Sequence, residues 1–238
     1  MRIKVLCKYG KYPTPNGGTS SFLLEGKDAA VILDTGSGAA AAIAGQVALN
    51  KIDAIILSHL HYDHMCDILP LVYKCACDKT LRKKLTVYLP ETPADVFAVI
   101  RNTGAYDLRI IKDGMTVQIN SLKLTFFAMT HPVETYAVRA EEDGKVVAYT
   151  ADTTENGNIK KLISGCSYVL ADACVLEKDA AGAPHISVKK IARLTSESRS
   201  KIILIHLPPE GGHGEILREA TSENECSYLA DTEVYYEI

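Results

Sequence analysis

Short apolar runs rich in β-branched residues alternate with glycine-, proline- and aspartate-containing turns along the whole chain. Runs of this kind between turn signals are typical of β-strands, and stretches with apolar residues three and four apart are typical of helices. The predicted strands are residues 1–6, 20–25, 30–34, 53–57, 86–89, 115–119, 123–128, 136–142, 145–149, 168–172, 201–205 and 234–237. The predicted helices are residues 39–48, 65–78, 93–103, 159–163, 187–196 and 215–221.

No linker, fixed-period repeat or low-complexity segment divides the 238 residues, so we expect a single domain spanning 1–238. Apolar residues make up 47% of the chain, which is enough for a substantial core. Helices lie between the strands in the predicted order, so they must cover the outer faces of one or two sheets.

Residues able to bind metal come directly after several of the predicted strands. These residues are His59, His131, Asp152 and His206. Strand ends at one edge of a sheet converge in space, and the loops at such an edge carry function. We therefore expect these four side chains to meet.

The segment Ser58-His59-Leu60-His61-Tyr62-Asp63-His64 holds three of the seven histidines. Residues two apart in an extended segment lie on the same side, so His59 and His61 can bind one ion together. A turn after Tyr62 would present Asp63 and His64 to a second ion. Asp152 could bridge both ions, His131 would complete the first and His206 the second. Each ion then keeps a position for a shared water. Histidines that merely pack in the core or lie on the surface are disfavoured by this density of partners.

The charge balance and the cysteines bear on the binding partners and the location of the protein. The net charge is −3, and no block of Lys or Arg forms a nucleic-acid footprint. The sequence lacks a signal-peptide pattern or a membrane-spanning run, so a cytoplasmic protein without membrane contact is expected. The seven cysteines are expected to be reduced thiols. We interpret Cys75-Ala76-Cys77 as packing residues and not as a third metal site, because residues two apart on a helix point to different faces.

The metal-binding pattern resembles the metallo-β-lactamase superfamily over essentially the whole chain. This resemblance implies an α+β fold, a four-layer αββα sandwich of two mixed β-sheets. It also implies one metal on His59, His61 and His131, a second on Asp63, His64 and His206, and Asp152 as the bridge. The Asp34-Thr35-Gly36 turn resembles the family element in which the aspartate braces the metal loop, and an ordinary turn is the alternative. Thr150-Ala151-Asp152-Thr153 resembles the Gly-Asp-Thr element, with alanine in place of glycine.

Pro184-His185-Ile186-Ser187 resembles the His-Ser-Thr element of the ribonuclease Z branch, and Asn16-Gly17-Gly18-Thr19 resembles that branch's first loop. The resemblance implies Asp63 and His185 as catalytic residues, with His185 beside the scissile phosphate. A histidine that only begins a helix is the alternative. Asp172 is expected either to orient His185 or to have a structural role at its strand end. His213 is expected on a flexible surface loop.

Two features argue against structured tRNA as the substrate. His131 and Asp152 are only 21 positions apart, too few for the flexible arm of tRNA-processing enzymes, and there is no basic patch. The sequence therefore predicts a metal-dependent hydrolase with two divalent ions, zinc first and manganese or iron as alternatives. A phosphodiesterase acting on a small or nucleotide-like substrate through a metal-bridging hydroxide is the favoured function. A lactone or thioester hydrolase and a non-enzymatic metal sensor are the alternatives, and a homodimer remains open.

Overall fold

The computed structural model describes residues 1–238 as fourteen strands and seven α-helices, arranged around two seven-stranded sheets. The first sheet has the order β14-β1-β2-β3-β4-β5-β6. Its strands are β1 (Arg2–Cys7), β2 (Ser21–Glu25), β3 (Ala30–Leu33), β4 (Ala54–Ile56), β5 (Thr86–Leu89), β6 (Asp107–Ile110) and β14 (Tyr235–Glu237). The pairs from β14 to β3 are antiparallel, whereas β3 to β6 are parallel.

The second sheet has the order β13-β12-β11-β10-β9-β8-β7. Its strands are β7 (Thr116–Ile119), β8 (Leu122–Met129), β9 (Thr135–Glu142), β10 (Lys145–Tyr149), β11 (Tyr168–Asp172), β12 (Lys201–Ile205) and β13 (Ser227–Leu229). The pairs from β7 to β10 are antiparallel, and β10 to β13 are parallel. Both sheets are therefore mixed, as predicted.

Three apolar clusters show how the layers pack. The central cluster joins inward-facing residues of both sheets, for example Phe22 and Val31 with Phe126 and Val138. The other two clusters join each sheet to the helices outside it. The helices are α1 (Ala39–Gln46), α2 (Tyr62–Met65), α3 (Ile68–Cys77), α4 (Ala94–Asn102), α5 (Asn158–Ile163), α6 (Val188–Glu197) and α7 (His213–Thr221). This is the predicted αββα sandwich. None of the helices is long and apolar enough to cross a membrane.

Hydrogen bonds join the two sheets at both ends of the sandwich. At the end where β4 leads into residues 58–64, which we call the metal loop, the Tyr136 N–H donates to the Ser58 carbonyl at 2.9 Å. At the opposite end, the Lys27 N–H donates to Glu142 Oε1 at 2.7 Å, and Asn120 Nδ2 donates to Asp53 Oδ1 at 2.9 Å. The sheets are thus tied together at both ends.

Several sequence predictions need correction. The predicted helix 65–78 corresponds to α3, which begins at Ile68, whereas Met65 ends the short helix α2. Between them, the Asp67 N–H donates to Thr35 O, and Asp67 Oδ2 accepts the Ala40 N–H. These bonds tie Asp67, one of the two residues between α2 and α3, to the turn after β3 and the start of α1. Strands β6 and β13 have no counterpart among the predicted strands, since both are short and only partly buried.

His213 does not lie on a flexible loop. It is the first residue of α7, and its Nε2 lies 2.8 Å from the carbonyl oxygen of Pro208. All seven cysteines are free thiols, as predicted. Of the pair Cys75 and Cys77, however, only Cys75 packs against a core, and Cys77 is exposed. The packing interpretation of this pair is therefore wrong for Cys77.

Candidate metal centre

The turn after β3 places a buried carboxylate behind the metal loop. Asp34 is fully buried and lies in the left-handed region at φ 60°. Its Oδ1 accepts the Ser58 N–H at 2.6 Å, and its Oδ2 accepts hydrogen bonds from three side chains. These donors are Ser58 Oγ at 2.7 Å, His64 Nδ1 at 2.8 Å and Tyr149 Oη at 2.5 Å. Asp34 therefore holds both ends of the segment from Ser58 to His64.

The first group of predicted ligands is His59, His61 and His131. His59 Nε2 and His131 Nε2 each lie 3.1 Å from His61 Nδ1. Ligand nitrogens of a tetrahedral zinc site, at about 2.0–2.1 Å from the ion, are about 3.3 Å apart. The three nitrogens therefore already have close to the spacing that one ion requires.

The second group is Asp63, His64 and His206. Asp63 Oδ2 lies 3.2 Å from His206 Nε2 and 3.6 Å from His64 Nε2. Helix α2 begins at Tyr62, and this change of backbone direction separates Asp63 and His64 from the extended segment before them. The predicted turn after Tyr62 is thus a single helical turn.

Asp152 lies between the two groups. Its Oδ2 is 3.9 Å from both His59 Nε2 and His131 Nε2 and 3.4 Å from His206 Nε2, while its Oδ1 is 3.4 Å from His64 Nε2. A carboxylate in this position can give one oxygen to each ion. The preceding Ala151 has φ 52°, so this turn uses the left-handed conformation that glycine adopts more easily.

Hydrogen bonds behind the rings determine which nitrogen each histidine offers. The single Ser58 hydroxyl proton goes to Asp34, so Ser58 Oγ must accept from His59 Nδ1, 3.0 Å away. His64 Nδ1 donates to Asp34, and His131 Nδ1 donates to the Pro184 carbonyl at 3.0 Å. His59 and His131 therefore turn an unprotonated Nε2 towards the centre, and His64 has its Nε2 as the nitrogen left for an ion, the arrangement typical of metal-binding histidines.

The electrostatics differ between the two groups. Burial lowers the pKa of His59 well below its usual value and also lowers the pKa values of His61 and His131, so these rings are neutral. Burial also opposes charge on His64, but the Asp152 and Asp34 carboxylates outweigh it and raise its pKa to about 10. For His206, burial is likewise outweighed, chiefly by Asp152, and the pKa is raised well above its usual value. The carboxylates around the second group therefore favour positive charge at this buried position, either on the two imidazoles or on a bound cation.

The donor set fits two divalent ions. Neutral imidazoles and carboxylates suit zinc, manganese and iron. All seven side chains are buried or partly buried. Without bound metal, only protons shared with the histidines would balance the negative charge of the carboxylates. The seven predicted ligands thus form one continuous cluster that the apolar core cannot explain.

His185 lies beside this cluster and outside both groups. Its Nδ1 is 2.6 Å from Asp172 Oδ2, and its ring centroid is 5.5 Å from that of His131 and 5.3 Å from that of His206. Burial would lower the pKa of His185, but the Asp172 carboxylate raises it. Asp172 Oδ1 also lies 3.5 Å from His206 Nδ1, which is buried without a hydrogen-bond partner within normal distance. Asp172 therefore faces both histidines.

Sequence reasoning missed four residues of the site. Ser58 and Tyr149 bind Asp34 as described, and Gly10 and Lys11 contact the second group from the N-terminal side. The backbone N–H of Lys11 donates to Asp63 Oδ2 at 2.8 Å. Ser58 directly precedes His59, and this position could have indicated that it belongs to the site. Gly10, Lys11 and Tyr149 are far from the metal loop in sequence and gave no such indication.

Comparison with known proteins identifies the family of the chain. A sequence model of the β-lactamase superfamily domain matches residues 30–207. The chain is 27% identical over 231 residues to the "Probable metallo-hydrolase YhfI" of Bacillus subtilis (strain 168), covering 92% of each protein. It is also 26% identical over 133 residues to the ribonuclease Z of Methanopyrus kandleri, covering 56% of this chain and 47% of that one.

Solved structures show the same fold. The metallo-β-lactamase fold protein YhfI from Bacillus subtilis superposes with a TM-score of 0.93 at 24% identity, covering 100% of this chain and 99% of that chain. The short form of human tRNase Z gives 0.79 at 16% identity, with coverage of 100% and 99%. A diphosphatase of the PhnP family gives 0.76 at 18% identity, with coverage of 100% and 97%.

Proposed function

Since the chain belongs to the β-lactamase superfamily and is a metallo-hydrolase of that family, we propose that it hydrolyses a small or nucleotide-like phosphodiester at a dinuclear metal centre. His59, His61 and His131 would hold one ion. Asp63, His64 and His206 would hold the other, and Asp152 would bridge them. Zinc is the metal we propose. Two such ions lower the pKa of a shared water towards neutrality and stabilise the entering and leaving oxygens of a displacement.

The observation that carries this proposal is the pair of His185 and Asp172. Because Nδ1 of His185 is bound to Asp172, the ring has one remaining nitrogen, Nε2, for a substrate. The side chain is 11% exposed, so the ring can be reached from solvent. The neighbouring carboxylate favours the protonated ring, and a protonated imidazole can give its proton to a departing alkoxide. It can also stabilise charge on the phosphate oxygens.

Asp63 is the carboxylate to which we assign the activation of the nucleophile. Its side chain is 16% exposed, compared with 5% for Asp152, so it is the more accessible of the two carboxylates. The Lys11 N–H holds one of its oxygens in place. We propose that Asp63 orients the nucleophile and accepts its proton, while His185 serves the leaving group.

A small substrate is supported by the segment between His131 and Asp152. Strands β9 and β10 form an antiparallel pair there and fill most of the sequence between the two residues. No arm extends from this segment to hold a folded RNA. The overall charge of −3 also does not favour a large polyanion. The ribonuclease Z relatives support the phosphodiester chemistry, and the short segment argues against structured tRNA.

Metal content is the first test. Protein purified without chelator should contain close to two equivalents of divalent metal by elemental analysis. Protein that still contains no metal after supplementation would contradict the proposed centre.

The His185→Ala variant tests the reaction. It should keep both metals but hydrolyse alkyl phosphodiesters about 10²–10⁴ times more slowly, the usual effect of losing a positioned general acid. The loss should be smaller for a p-nitrophenyl ester, because that leaving group needs no proton. Ser187→Ala is the matched control, since Ser187 caps α6 through the Lys190 N–H in the same turn without contacting the metal ligands. Equal losses for both leaving groups would refute the acid role.

One further observation favours a second candidate, a lactone or thioester hydrolase. An apolar groove of about 170 Å³ begins at Tyr62 on the metal loop and could hold an acyl chain. Its apolar lining consists of Tyr62, Met65, Cys66, Leu69, Val96 and Val99. If His185→Ala leaves every phosphodiester activity unchanged while the protein hydrolyses lactones, the second candidate replaces the first.

A further inference from the structure

We propose that residues 8–12, which we call the strap, position His206 and Asp63 and thereby set the affinity for the second metal without affecting the first. This inference rests on the dinuclear centre proposed above. It assigns a role to a segment that contains no metal ligand.

The backbone of Gly10 lies directly against the His206 ring. A Cβ atom added to Gly10 would lie 2.5 Å from both Nδ1 and Cε1 of His206 and 2.7 Å from its Nε2. No real Cβ could occupy that position, so only glycine lets the strap backbone approach the ring this closely. His64 and His185 stack with the same ring at centroid distances of 5.2 and 5.3 Å. The ring therefore has little freedom to move.

The strap also holds the backbone of His206. This residue has φ 53°, a left-handed conformation that is unfavourable for any residue other than glycine. Such a conformation persists only where its surroundings impose it. Here the Leu207 N–H donates to the Lys8 carbonyl at 2.9 Å, and the Gly10 N–H donates to the Leu207 carbonyl at 3.0 Å. These two bonds fix the residue that follows His206.

Lys11 acts on the other ligand through its backbone. Its φ of 62° belongs to the left-handed region, and its N–H donates to Asp63 Oδ2 at 2.8 Å. The same oxygen lies 3.2 Å from His206 Nε2. A hydrogen bond to a carboxylate is charge-assisted and directional. The strap thus positions both the carboxylate and the imidazole of one metal position.

The far end of the strap is fastened at the surface. Tyr12 is 49% exposed, and its hydroxyl donates to Glu210 Oε1 at 2.6 Å. Glu210 lies on the loop that follows His206, so this bond closes the strap over the second ligand group. None of the strap's hydrogen bonds reaches the three histidines of the first group, whose partners are one another, Ser58 and Pro184.

The inference is tested by titrating zinc into chelator-treated protein and measuring the two binding affinities by isothermal titration calorimetry. Wild-type protein should bind two equivalents. Gly10→Ala should bind one equivalent with unchanged affinity and the second about 10–100 times more weakly, the usual cost of losing a group that orients a metal ligand. Gly45→Ala is the matched control, because a Cβ there meets nothing within 4 Å. It should bind both ions like wild-type protein.

The outcomes separate the two proposals. If wild-type protein does not bind two ions, the metal centre itself is wrong. If wild-type and Gly10→Ala bind both ions with equal affinity, the strap proposal is wrong and the centre stands. Should Gly10→Ala fail to fold, as judged by circular dichroism, Tyr12→Phe and Glu210→Gln decide instead. Each should weaken only the second ion by a few-fold, and unchanged binding in both would overturn the inference.

Discussion

Replacement of Asp34 by asparagine should weaken both metal positions, although Asp34 is not a ligand. Asparagine has the same shape, and its oxygen can still accept the Ser58 N–H. Its NH₂ group, however, would occupy the place of Oδ2, where three donors converge. The hydroxyls of Ser58 and Tyr149 can rotate and become acceptors. The Nδ1–H of His64 cannot rotate, so Nδ1 must lose its proton, which leaves the ring protonated on Nε2, the nitrogen that faces the second metal position.

The size of the effect follows from the bond that is lost. A hydrogen bond to a charged group contributes about 1.5–3 kcal/mol. At about 1.4 kcal/mol for each factor of ten, the second ion should bind roughly 10–100 times more weakly. The first ion should be affected through Ser58. Once the Ser58 hydroxyl accepts a hydrogen bond from the new NH₂ group, the hydroxyl proton turns towards His59 Nδ1. The His59 ring must then carry its own proton on Nε2.

Two measurements check this reasoning. Calorimetric zinc titration gives the two affinities, and ¹⁵N-detected NMR of the histidine rings shows which ring nitrogens carry a proton in the metal-free protein. Asp53→Asn is the control, because Asp53 lies before β4, at the end of that strand remote from the metal loop, and accepts hydrogen bonds from Ala30 and Asn120. It should bind both ions normally. Wild-type affinity for both ions in Asp34→Asn, with His64 still protonated on Nδ1, would refute the argument.

Three further predictions concern single positions. Asp152→Ala should lower the occupancy of both ions, whereas His206→Ala should mainly empty one, and elemental analysis would contradict the bridging role if Asp152→Ala retained two equivalents. Gly36→Ala should lower the free energy of unfolding by about 1–3 kcal/mol in urea denaturation, because the added Cβ would lie 2.1 Å from the Asp63 carbonyl oxygen; unchanged stability would show that the turn can relax. Tyr62→Ala should raise KM about 3–10-fold for substrates with an aromatic group and leave kcat nearly unchanged, given that stacking on an aromatic ring contributes about 0.5–1.5 kcal/mol. An equal effect on substrates without such a group would count against contact between Tyr62 and the substrate.

The sequence was most informative where a buried strand leads directly into a metal-binding residue. The bounds of β11 and β12 match the prediction, because uninterrupted apolar runs there end at Asp172 and just before His206. The same local signal placed His59, His131 and Asp152 after their strands. Short polar strands such as β6 gave no such signal, since their pairing depends on a neighbouring strand and not on their own composition.

The parts of the site that could not be predicted are contacts between distant segments. Tyr149 reaches Asp34 across 115 positions of sequence, and Lys11 reaches Asp63 across 52. Neither residue type indicates such a role, and in Lys11 the contact is made by the backbone. His213 was misplaced for a related reason. Its glycine neighbours suggested a loop, whereas Gly212 is the residue that precedes α7 and adopts the left-handed conformation.

The distribution of ligands over the two sheets has a mechanical consequence. The loop after β4 of the first sheet supplies His59, His61, Asp63 and His64, whereas His131, Asp152 and His206 follow strands of the second sheet. If two ions bind as proposed, they would therefore act as a cross-link between the halves of the sandwich. At the remote end, hydrogen bonds such as that between Lys27 and Glu142 have the same role without metal. Chelation should accordingly loosen the sandwich from one end only. Amide hydrogen exchange should accelerate around Tyr136 and the ends of β10 and β12, while the amides near Glu142 remain protected.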